Sequence, residues 1–127
     1  MANPNIVSVT AIYGNTSTLL ISSTADPFAT ALVSNAASSG KVYKINSIVA
    51  ANVDGTSAAD ISIKIFSAAA LGGTGTAIAS TIAVPADASL VVTDKTTSFY
   101  LLEDRSIGAT ASAANDIVVT CSWEEIN

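Results

Sequence analysis

The chain contains no histidine, a single cysteine, and only five basic residues: Lys41, Lys44, Lys64, Lys95 and Arg105. Each shortage excludes a kind of chemistry. Without an imidazole no serine has the usual base to activate it, and one thiol cannot complete the tetrahedral shell of a structural zinc. Dispersed cations, the closest pair being Lys41 and Lys44, do not make a surface that displaces the counterions of a nucleic-acid backbone. The formal charge of −5 opposes such binding further. Cys121 has no partner for an internal disulfide, and its place in an alternating apolar run predicts a buried, inert thiol. No apolar run approaches the roughly 20 residues of a membrane-spanning helix. Met1-Ala2-Asn3-Pro4-Asn5 lacks the basic and apolar regions of a secretion signal. The expectation is a protein with no catalytic, metal or cofactor site, and no nucleic-acid or membrane partner.

What is present is Ala, Ser, Thr, Val and Ile, residues suited to sheets and close contacts. A length of 127 residues fits one domain with a core of its own. We expect an extended arm over 1–5 and a single domain over 6–127. Half the residues are apolar, but many are alanine. Burial stabilises by about 25 cal/mol per Å² of apolar surface, so an alanine-rich core predicts some stabilisation from association between subunits.

Period-two alternation dominates, and no segment has a long helical stripe. Val7, Val9, Ala11 and Tyr13 share a face; Gly14-Asn15 then reads as a turn into a second strand over 18–22, forming a hairpin. Asp26-Pro27 marks a loop, with Phe28 as a plug at the core edge. A strand over 31–34 and a turn over 35–40 lead to a strand over 41–51, with Tyr43, Ile45, Val49 and Ala51 on one face. Asp54-Gly55 suits a turn with positive φ, and Ile61, Ile63 and Ile65 then align, predicting a second, longer hairpin. The alanine–glycine stretch over 68–76 reads as one helical turn or a flexible connection. Strands follow over 76–84 (Ile78, Ile82 and Val84 in phase), 90–93, 99–102 and 107–111. In the last strand Ile117, Val119, Cys121 and Trp123 share a face. Eight to ten short strands between Gly, Asn, Asp and Pro turns predict an all-β antiparallel sandwich, jelly-roll-like, with no crossover helices.

Three groups of residues invite a chemical reading. Gly72-Gly73-Thr74-Gly75-Thr76 has neither the lysine nor the following helix of a phosphate-binding loop, so a plain turn is expected. Asp54 and Asp60 offer too few oxygens for calcium, which takes six to eight, and turn capping is the simpler role. Glu103-Asp104 and Glu124-Glu125 are adjacent acids that point to opposite strand faces, unlike the facing carboxyls of a glycosidase. A solvated rim or an intersubunit salt bridge is expected of them. Aromatic residues are few. Phe99 and Tyr100 are consecutive, so one faces away from the core, and Phe66 opposes its isoleucine neighbours. An outward ring is either covered by a loop or buried against another subunit; with Trp123 and the arm residues Asn3 and Pro4, followed by Ile6, these aromatic residues form the candidate contact set.

The strings KVYKINSIVAANVDGT (41–56), ADISIKIF (59–66), FYLLE (99–103), ASAANDIVVT (111–120) and SWEEI (122–126) cover about a third of the chain. In these the chain resembles small β-rich virion structural proteins of tailed bacteriophages, particularly cyanophages. The resemblance implies a capsid decoration or cement protein on the virion surface, made in the host cytoplasm. Such a protein binds between major capsid protein subunits, often as a homo-oligomeric trimer. The arm over 1–5 would then lie across a neighbour and add a strand to its sheet edge. A tail, neck or fibre component is the alternative, as is a carbohydrate-binding module whose Tyr100 stacks on sugar.

Overall fold

A computed structural model describes residues 4–22, 24 and 31–127. Among them nine strands form two antiparallel sheets: β1 (Ile12–Leu20), β2 (Ala31–Asn35), β3 (Val42–Asn52), β4 (Ala59–Phe66), β5 (Gly75–Val84), β6 (Ser89–Thr93), β7 (Phe99–Leu101), β8 (Arg105–Ala111) and β9 (Ile117–Ile126). The first sheet has the order β1-β9-β3-β6, with β7 also paired to β3; the second has the order β2-β8-β4-β5. The predicted all-β sandwich is what the chain forms. Asn3, Asp26-Pro27 and Phe28 lie outside the described residues.

Strict alternation in β9 and β4 builds the core. Ile117, Val119 and Cys121 from one sheet meet Ile61, Ile63 and Ile107 from the other, all but free of solvent. Each isoleucine so buried contributes about 2–3 kcal/mol relative to exposure. The interior is therefore less thin than the alanine content suggests. Alanines 50, 59, 79, 109 and 111 sit between larger side chains, letting the sheets interdigitate.

Both predicted hairpins are corrected. Residues 12–20 run as one strand through Gly14 and Asn15, which pair with Glu124 and Trp123 without a break in register. Residues 6–11 are turn and coil instead of strand, so Val7, Val9, Ala11 and Tyr13 do not share a strand face. The long apolar edge of β9 aligns β1, and that pairing outweighs a local Gly-Asn turn preference. The second hairpin is an arch: β3 belongs to the first sheet and β4 to the second. Asp54 and Gly55 keep φ out of the left-handed region. Asn52, buried at the crossing, donates from Nδ2 to the carbonyls of Ser57 and Val84 (2.9 Å each) and accepts from the Asp54 amide (2.9 Å). At the other end Asn35 of β2 donates to the carbonyls of Lys41 (3.0 Å) and Leu101 (3.2 Å). One buried carboxamide thus ties the sheets together at each end.

The face assignment within β3 also changes. Ile45 pairs with Trp123 but Ser47 with Ser122, so Asn46 is an extra, bulged residue. Tyr43 and Ile45 point inward before it, while Ile48, Ala50 and Asn52 point inward after it. Val49 and Ala51 turn to the outer face. In β5 the register slips twice, and Thr81 takes a φ of 52° with its amide donating to Ser62 Oγ (2.9 Å). Ile78 and Ile82 are consequently exposed while Val84 is buried, so the three are not in phase.

The alanine–glycine stretch is held, not slack. A 3-10 turn, Ala69–Leu71, has each amide captured by a side chain: Ala69 by Asp104 Oδ1 (3.0 Å), Ala70 by Ser34 Oγ (2.9 Å) and Leu71 by Ser106 Oγ (2.9 Å). Ala70 and Leu71 adopt positive φ there. Three outside acceptors offset a conformation that L-residues disfavour.

Candidate interaction surface

The outer face of the first sheet carries exposed apolar side chains among polar ones. Register places Leu20, Val118 and Ala51 in one row, and Thr18, Thr120, Val49 and Val91 in the next. A polar row, Thr16, Ser122 and Ser47, and a charged one, Glu124 beside Lys44, separate these from Ile12, Ile126 and Val42 at the opposite end, where Ile126 and Val42 are buried. Leu20, Val91 and Ile12 are exposed by 47 to 57%. Beyond Val42, the side chains of Pro4, Ile6, Tyr100 and Leu102 line a shallow recess of about 210 Å³.

The candidate contact residues divide. Pro4, Ile6 and Tyr100 come together in that recess, with Ile6 and Tyr100 exposed. Phe66, Phe99 and Trp123 do not join them. Phe66 is buried on the second sheet, where its ring lies over Gly75 closely enough that a Cβ there would come within 2.9 Å. Phe99 and Trp123 are half-buried against the core. Sequence reasoning missed Val7, Ile12, Tyr13, Leu20, Val53 and Val91, all exposed. The run Leu19-Leu20-Ile21 held a signal: three consecutive apolar residues in a strand force one outward.

At one end of the first sheet's inner face, Tyr13 and Tyr43 flank Glu125 across adjacent strands. Lys41 pairs with Glu125 at 2.5 Å, and Tyr43 stacks on Trp123 with ring centroids 6.0 Å apart. The Glu125 hydrogen bond and charge hold the Lys41 ammonium above its usual pKa. Burial, then the Glu125 charge, raises the Tyr43 phenol. Burial also pushes the Cys121 thiol up to about 12. All three shifts have one sign: the stability they contribute is complete below the unfolded pKa values and is lost as pH climbs through the folded ones. For Cys121 that window opens near the free thiol value of about 8.5. Urea midpoints are therefore expected to hold at neutral pH and fall above about pH 9, with a smaller fall in Cys121→Val. Native protein is expected to resist thiol labelling that is complete in urea; equal rates in both states would refute a sealed thiol.

The acidic residues serve local structure. Glu103 is buried, Asp104 caps the 3-10 turn and Glu125 pairs within the chain, so three of the four depart from the solvated rim or intersubunit bridge expected of them. Asp54 accepts from Thr56 in its turn. Among the described residues no three His, Cys, Asp or Glu side chains converge as a metal site would require, and no helix is long and apolar enough to cross a membrane. Comparison with known proteins gives no match: no family model, no curated protein and no solved structure aligns with this chain.

Proposed function

We propose that the chain is a non-catalytic structural protein of a virion. In this reading it decorates the capsid surface and clamps neighbouring major capsid protein subunits. The observation that carries this reading is the recess at Ile6 and Tyr100, with Ile12, Leu20 and Val91 also exposed on the first sheet. Exposed apolar side chains grouped around a recess suit a docking surface. The strand order supports a jelly roll, since the eight main strands divide into two four-stranded layers and the chain changes layer between successive ones except at the β4–β5 hairpin, an architecture used by viral capsid and lectin domains. Tyr100 is surrounded by Pro4, Ile6, Val42 and Leu102. An aliphatic surround of that kind favours a protein partner over a sugar, which would find a second ring there. Repetition by capsid symmetry turns modest affinity at each site into firm retention.

A reconstruction of intact particles carrying the chain tests this. Copies are expected at local three-fold or two-fold axes of the shell, with the recess against the capsid. A folded Tyr100→Asp variant is expected to lose occupancy by about tenfold or more, as for a central anchor residue. Copies on the tail axis, or undiminished occupancy by the variant, would overturn the proposal.

A further inference from the structure

The four sheet edges are not equally protected. Strand β5 is bent by two register slips, β2 is short and bulged, and β6 and β7 are short segments in line along β3. Strand β1 has none of these devices. It runs nine residues, IYGNTSTLL, without charge, proline or bulge, and among the described residues pairs only with β9. An edge of that length and flatness is a template for another strand.

The hydrogen-bond phase shows which groups are on offer. Ala11 and Asn127 exchange both amide bonds, and the Ile21 amide donates to the Ile117 carbonyl, with unbroken register between. Odd residues of β1 therefore face β9. The even residues Ile12, Gly14, Thr16, Thr18 and Leu20 turn their N–H and C=O groups outward. All five are exposed.

The strand is also a palindrome in side-chain character about Thr16. Antiparallel pairing with its own copy sets Ile12 against Leu20, Tyr13 against Leu19, Gly14 against Thr18, Asn15 against Ser17, and Thr16 against itself. Apolar meets apolar, polar meets polar, and no like charges meet. Outward-facing even residues meet outward-facing even residues, so five pairs exchanging two bonds each supply about ten main-chain hydrogen bonds. A two-fold axis satisfies all of these at once.

We propose that β1 is the self-association edge of the protein, pairing antiparallel with β1 of a second copy about a two-fold axis through Thr16. The first sheet then continues across the dimer, and the two outer faces become one. The pairing favours two-fold symmetry over the three-fold order that the resemblance implies. It stands apart from capsid binding because it is tested on free protein.

Sedimentation of purified protein decides it. Wild type is expected to reach twice 12.7 kDa with rising concentration. Thr16→Lys and Thr16→Glu each place two like charges across the axis and are expected to weaken association by about tenfold, with unchanged thermal unfolding since Thr16 is exposed. An equimolar mixture of the two pairs opposite charges and is expected to restore the dimer. A wild type that stays monomeric, that forms trimers, or whose association ignores both substitutions would overturn the proposal. None of these results alters the particle experiment.

Discussion

Deleting Asn46 and Ser47 together is expected to abolish the folded state. Ile45 pairs with Trp123 and Ser47 with Ser122, so Asn46 is the extra residue of the bulge, and Ile48, Ala50 and Asn52 point inward after it. Loss of Asn46 alone closes the bulge and leaves those three inward, so that single deletion is expected to keep a cooperative transition. Loss of both residues sets Ile48 directly after Ile45, and every later position of β3 changes face, because side chains alternate with a period of two. Val49 and Ala51 would enter the core, and Ile48 and Asn52 would leave it. Losing a buried isoleucine and a buried, fully bonded carboxamide approaches the whole stability of a typical domain, about 5–15 kcal/mol. Circular dichroism in urea is expected to show no cooperative transition for the double deletion. A double deletion unfolding at the wild-type midpoint, or a single deletion with no transition, would show that the bulge at Asn46 does not set the phase of β3.

Asn52→Ala is expected to destabilise the protein by about 3 kcal/mol, because the change strands the Ser57 and Val84 carbonyls and the Asp54 amide together. The melting temperature should fall by roughly 10 °C for a chain of this size. Asn52→Asp keeps the acceptor but loses both donors and sets a carboxylate against two carbonyls, so at neutral pH its loss should equal or exceed that of alanine. If both variants melt with wild type, the carboxamide does not hold the arch between the sheets. The outcome bears on function because the arch sets β3, whose outer residues Val49 and Ala51 lie beside the exposed Leu20 and Val91.

Much of this was legible in single residues. The alternation of β9 put Ile117, Val119 and Cys121 on one face, and the structure buries all three. Ile61 and Ile63 read the same way in β4. The Phe99-Tyr100 doublet required one ring to point outward, and Tyr100 does. The errors share a physical origin. Gly14-Asn15 favours a turn in isolation, but a row of unmet hydrogen-bond groups on β9 extends the backbone there. Strands β3 and β4 carry the same alternation whether they lie side by side or face each other across a core. A bulge leaves no mark on hydrophobicity, so Val49 and Ala51 read as interior.

Alternation and the lack of imidazole were settled by the chain's letters: they specify strands with one apolar face and remove the common means of proton transfer. Folding decided the neighbours. Main-chain hydrogen bonds are alike for every partner, so only the closing of two sheets on one core could assign β1 to an edge and gather Ile6 with Tyr100. The same closure left Ile12, Leu20 and Val91 exposed on the first sheet.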